Sequence, residues 1–145
     1  MKLTDFGLGA QLTALEQQRK TMLGTADFMA PEIIMRNAYG TKVDIWALGM
    51  LVYEMCNGET PFVGLQPAKI LEKIEKEGIP PLPRKKWSVE VIDFTGQTCQ
   101  FEPARRPSAR ALTLHPWFKR ACTTEQFKPL VDKVRAGGEG GCVVM

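Results

Sequence analysis

Only one histidine, His115, occurs in the chain, and the four cysteines, Cys56, Cys99, Cys122 and Cys142, lie far apart with no paired spacing. A zinc site needs clustered thiolates and imidazoles, and a disulfide framework needs cysteines at framework spacing, so neither is expected and reduced thiols fit better. Long hydrophobic runs are also missing. The longest, Ile45 to Met55, is interrupted by Glu54 and is too short to span a bilayer. No secretory signal is legible, because Asp5 falls where the apolar region would be and no small-residue cleavage site comes after it. Charge of one sign is scarce as well. The net charge is +3, and Arg19-Lys20, Arg84-Lys85-Lys86 and Arg105-Arg106 are separated by ordinary sequence, which argues against nucleic acid as a partner. What is present, 145 residues with 44% hydrophobic and 24% charged content, suits one soluble globular domain, expected in the cytoplasm.

The pattern along the chain is mainly helical. Lys2 to Thr4 can form a short strand, and Gly7 to Met29 lacks sustained periodicity and reads as a long loop, a feature that is usually functional inside a compact domain. Asp44 then reads as the N-cap of a helix apolar nearly all round, Ile45 to Cys56, closed by Asn57-Gly58 and expected at the centre of the core. Ala68 to Glu77 is amphipathic, with Ile70, Leu71 and Ile74 in one stripe and Glu72 and Lys76 four apart on the wet face. Ser88 is expected to cap a helix to about Cys99, and Ser108 another to Leu114 before His115-Pro116-Trp117-Phe118. Near the end, Thr123 and Gln126 have capping-box spacing, but Pro129 points to a helix that starts there and runs to Ala136, with the flexible Gly137-Gly138-Glu139-Gly140-Gly141 after it.

By itself, Asp5-Phe6-Gly7 is a turn. Its meaning changes beside three further stretches: Gly24-Thr25-Ala26-Asp27-Phe28-Met29-Ala30-Pro31-Glu32, then Asp44-Ile45-Trp46-Ala47-Leu48-Gly49, then Pro103-Ala104-Arg105-Arg106-Pro107-Ser108 with His115-Pro116-Trp117-Phe118. In this order and spacing the chain resembles the C-terminal lobe of a eukaryotic serine/threonine protein kinase. Arg19 to Thr25, Phe28 to Glu32 and Tyr39 to Trp46 are most similar to the p21-activated kinase group, with Asp27-Phe28 standing where an aromatic pair is more usual. The resemblance implies a partial kinase lobe over residues 1–120 with an activation segment over 5–32, a helical tail over 121–136 and a spacer with a Cys-aliphatic-aliphatic-Met end over 137–145. It also implies a mainly α chain derived from an α+β parent fold.

The resemblance assigns roles residue by residue. Asp5, with Phe6 and Gly7, would belong to the ATP site and hold the magnesium ion on the phosphates, a hard oxygen ligand for a hard cation. Thr21 would be the regulatory phosphosite, the alternative being an ordinary exposed loop threonine. Thr25 would contact the catalytic loop and help seat a hydroxyl-bearing substrate. Glu32 and Arg106 would form a buried structural ion pair, and Asp44 would bond the backbone of the catalytic loop. His115, in its Pro-Trp-Phe context, reads as structural.

Other parts of a kinase are missing from these residues. Gly7-Leu8-Gly9-Ala10-Gln11-Leu12 lacks a third glycine, and neither the ATP-binding lysine nor the His-Arg-Asp loop occurs. Those elements precede Asp-Phe-Gly in the family, so the expectation is a lobe cut just before that motif, without turnover of its own and with an apolar face of the central helix left uncovered. Cys142-Val143-Val144-Met145 matches a prenylation signal that would favour farnesyl and a reversible membrane attachment. Two readings stay open. One is part of an ATP- and magnesium-dependent kinase that acts on protein substrates in signalling. The other is a catalytically dead binding module that competes for kinase partners.

Overall fold

A computed structural model describes residues 24–136, together with Gly7, Gly9 and Met22. The strand expected at Lys2 to Thr4 and most of the long loop lie outside the described residues. Among those described the chain is helical and contains no β-strand: α1 (Pro31–Ile34), α2 (Lys42–Asn57), α3 (Pro67–Glu77), α4 (Val89–Thr98), α5 (Ala109–Leu112) and α6 (Thr124–Ala136), with single 3-10 turns at Ala26–Phe28, Pro103–Arg105 and Pro116–Arg120.

α2 divides the core in two. Its Ile45, Val52 and Tyr53 pack with Leu82, Val91, Phe94 and Leu112 on one side. Its Trp46 and Met50 pack with Ala30, Phe62, Ile70 and Ile74 on the other. Successive helical residues step by about 100°, so these two sets leave a third stripe, Asp44, Leu48, Leu51 and Met55, which is exposed. Gly58, in the left-handed region at φ 81°, closes the helix with its N–H on the Glu54 carbonyl at 2.7 Å.

α4 crosses α2 at close range. A Cβ at Gly49 would meet Cys99 Sγ and Thr98 Oγ1 at 2.4 Å, so only glycine lets the two helices approach this far. Beyond α4, Phe94 collects His115, Trp117 and Phe118 around its ring at centroid distances of 5.3, 4.7 and 5.6 Å. α3 buries Ile70 and Ile74 and keeps Glu72 on the wet face. There Glu72 accepts hydrogen bonds from Lys69 at 2.7 Å and Lys76 at 2.8 Å, which hold its carboxyl down at about 2.

Several boundaries differ from the sequence reading. α2 starts at Lys42, so Asp44 sits in its first turn rather than at the cap. The cause is tertiary: the Lys42 carbonyl accepts from Arg106 Nη1, and Lys42 Nζ donates to the Arg106 carbonyl, which pins the extra residues in place. Asp44 still gains from the positive end of the helix. α5 ends at Leu112, two residues early, and its Ser108 side chain accepts from Ala111 N–H at 3.1 Å. Ser88 precedes α4 without a side-chain cap. α6 starts at Thr124 and carries Pro129 inside it. There Thr123 and Gln126 exchange hydrogen bonds at 2.9 and 3.3 Å, and this reciprocal cap outweighs the single bond that Pro129 cannot donate.

Candidate functional site

The described end of the expected activation segment is an ordered ledge resting on α2 and α3. Gly24 has φ +124°, a conformation that glycine adopts freely. Thr25 comes next, exposed, and its carbonyl accepts from Phe28 N–H at 3.1 Å to open the 3-10 turn. Asp27 accepts a hydrogen bond from the Thr60 hydroxyl at 2.5 Å, tying the turn to the loop after α2. Met29 and Ala30 are buried below, and Pro31 starts α1 at the position where a missing N–H costs nothing.

The ledge is bolted down through Glu32. Arg106, 1% exposed, presents Nη1 and Nη2 to the two Glu32 oxygens at 2.6 and 2.8 Å. Its remaining donors go to the carbonyls of Gln100, Lys42 and Phe101 at 2.7, 3.0 and 3.0 Å. All five guanidinium N–H groups are therefore used. The plane also lies 5.1 Å from the centroid of the Trp46 ring. The structure thus brings together Glu32 and Arg106, 74 residues apart, and adds two partners that spacing did not indicate, Lys42 and Trp46. The neighbouring Arg105, identical in type, is exposed, so the arginine pair alone could not say which one turns inward.

Asp44 stands apart from this network. It is exposed by surface area, yet enough protein surrounds its carboxyl to push the pKa above the ordinary value by desolvation. Its neighbours along α2 are the uncovered Leu48, Leu51 and Met55, at 36%, 44% and 73% exposure, so the carboxylate borders an apolar stripe.

His115 is buried with both ring nitrogens engaged. Nδ1 accepts from Trp117 N–H at 3.2 Å, which leaves Nε2 to donate to Asp93 at 3.1 Å. That is a positioning role for the 116–120 turn. Cys99 is inert, its thiol pushed up to about 12 by burial.

Gly7 is exposed, whereas Asp5, Phe6, Thr21 and Cys142 lie outside the described residues. Among the described residues no group of three or more histidine, cysteine, aspartate or glutamate side chains is placed to hold a metal ion. No helix among them is long and apolar enough to cross a membrane. Asp27, tied to Thr60, stands out in the sequence only as a departure from an aromatic; its hydrogen bond joins residues 33 apart and leaves no local signal.

A family model for the protein kinase domain matches residues 1–118. The chain is 43% identical over 136 residues to the serine/threonine-protein kinase pakC of Dictyostelium discoideum, covering 93% of this chain and 28% of that protein. It is 40% identical over 136 residues to pakA of the same organism, covering 93% of this chain and 11% of that protein. Similarity extends to the serine/threonine-protein kinase shk1/pak1 of Schizosaccharomyces pombe, at 37% over 140 residues, 96% of this chain and 21% of that protein. The chain therefore spans less than a third of the length of these curated relatives. From the first residue to the aromatic turn at Phe118, the chain belongs to the protein kinase family.

Proposed function

We propose that this chain is the C-terminal lobe of a serine/threonine protein kinase that, when complete, moves the terminal phosphoryl group of ATP to protein hydroxyls in signalling. The observation that carries this reading is the ledge. Residues 24–32 are held against α2 by Arg106, whose five donors are all used, so the segment that receives a substrate in such an enzyme has a fixed floor.

Within this reading Asp5 holds magnesium, which when bound neutralises charge on the phosphates, and Phe6 and Gly7 shape the same corner. A carboxylate suits that ion, and the described residues supply no further ligand cluster. Thr21 is the phosphosite, and its phosphate orders the segment by pairing with arginines. Thr25, exposed beside the turn, meets the substrate hydroxyl and the catalytic loop. Asp44 anchors that loop from the first turn of α2, and the uncovered stripe beside it is where further kinase residues rest. The 145 residues by themselves carry no glycine-rich loop, paired lysine or His-Arg-Asp loop and catalyse no transfer.

A second reading is a catalytically dead binding module that competes for kinase partners, and the uncovered α2 face favours it. Farnesylation of Cys142, with membrane attachment, is compatible with either. Intact-mass and peptide analysis of the endogenous protein separates the readings. A species much larger than 16.2 kDa, carrying the missing motifs and losing activity on Asp5→Asn, supports the kinase; a 16.2 kDa species without activity supports the module. The same spectrum shows whether Cys142 carries a prenyl group.

A further inference from the structure

α6 belongs to neither core cluster. None of its residues is buried, and Val131 alone is half-buried. Phe127, Leu130 and Val134 are 51%, 56% and 48% exposed. At about 100° per residue, Phe127, Leu130, Val131 and Val134 fall within one arc roughly 100° wide. Lys128 and Arg135 border that arc on one side and Lys133 on the other, while Glu125 and Asp132 lie opposite. Pro129 is also on the polar side, so the Glu125 carbonyl that its missing N–H leaves free faces water.

Cations on both margins of an apolar stripe, with the acids turned away, match the layering of an anionic bilayer surface. Apolar side chains enter the acyl boundary, and lysine and arginine stems lie along it while their charged ends reach the headgroups. We propose that α6 docks in the plane of an anionic lipid surface, with Phe127, Leu130, Val131 and Val134 inserted and Lys128, Lys133 and Arg135 among the headgroups. The proposal needs neither phosphoryl transfer nor lipidation of Cys142.

Co-sedimentation of the unlipidated 145-residue chain, made in bacteria, with vesicles of phosphatidylcholine with and without phosphatidylserine tests it. The chain is expected to bind the anionic vesicles at least about tenfold more tightly than the neutral ones and to lose that preference as salt is raised. Lys133→Glu with Arg135→Glu should weaken binding by about tenfold or more, and Leu130→Glu should abolish it, with the circular dichroism of the body unchanged. Equal sedimentation of parent and Leu130→Glu chains would overturn the proposal. So would absence of vesicle binding together with a Leu130→Glu effect confined to gel-filtration size, because the stripe would then join two copies of the chain.

Discussion

Arg106 and Glu32 meet as a planar fork on a planar carboxylate, with 2.6 and 2.8 Å contacts in a site where both side chains are almost fully buried. Removing one partner leaves the other charge buried and unpaired, which typically costs about 3–5 kcal/mol. Glu32→Gln is expected to lose stability in that range by urea denaturation. Arg106→Lys should be comparably harmful although it keeps the charge, because an ammonium cannot serve both carboxylate oxygens and three carbonyls. Near-wild-type stability of Arg106→Lys would show that charge rather than fork geometry holds the segment.

Gly49 admits no side chain. Gly49→Ala would force its methyl to within 2.4 Å of Thr98 Oγ1 and Cys99 Sγ, and Thr98 is fully buried and β-branched, so it has little room to turn. An overpacking loss of about 1–3 kcal/mol is expected, read as a lower denaturation midpoint, with partial recovery when Thr98 and Cys99 are both replaced by alanine.

The thiols should separate by reactivity. At mildly alkaline pH Cys122, which is exposed, should react with an aromatic disulfide reagent while Cys99 stays protected until the chain unfolds. The Cys99 pKa is raised from 9.0 to about 12, so its neutral thiol favours the folded state fully below pH 9, and this contribution is lost as the pH rises from 9 toward 12. Rapid modification of Cys99 in the native chain at about pH 8 would contradict this placement.

Leu48, Leu51 and Met55 make one exposed apolar stripe on a helix whose other two faces are packed in the core, which promotes association. The isolated chain should run larger than a monomer on gel filtration, and Leu51→Glu should shift it toward monomer without loss of helical circular dichroism. Unchanged elution of Leu51→Glu would place the contact elsewhere.

Arg36, just past the Met35 cap of α1, has φ 55°, a left-handed conformation that costs a non-glycine residue about 1–2 kcal/mol. Arg36→Gly removes that strain and returns about 0.5–1 kcal/mol of it as unfolded-chain entropy. A small net gain in melting temperature is expected, whereas Arg36→Val should lower it, since branching at Cβ aggravates the same strain.

Much of the molecule is legible along the chain because the signals are local. Apolar residues all round Ile45 to Cys56 mark a helix for the centre of the core, alternating faces mark α3, and the order of short motifs marks the kinase lobe before any contact is known. The glycine after Asn57 and the helix after Ser108 are readable from chemistry within a turn or two. Tertiary structure decided what depends on distant partners. α2 begins at Lys42 because Arg106 grips its first residue across 64 positions; the resemblance already pairs Arg106 with Glu32, but the carbonyls of Gln100, Phe101 and Lys42 that take its remaining donors converge there only in the fold. Thr60 finds Asp27, and Gly49 meets Thr98, only once α2 is folded against its neighbours. Periodicity and capping act over a few residues and are written along the chain. Ion-pair choice and close helix contact depend on burial and three-dimensional convergence, which one-dimensional spacing does not encode.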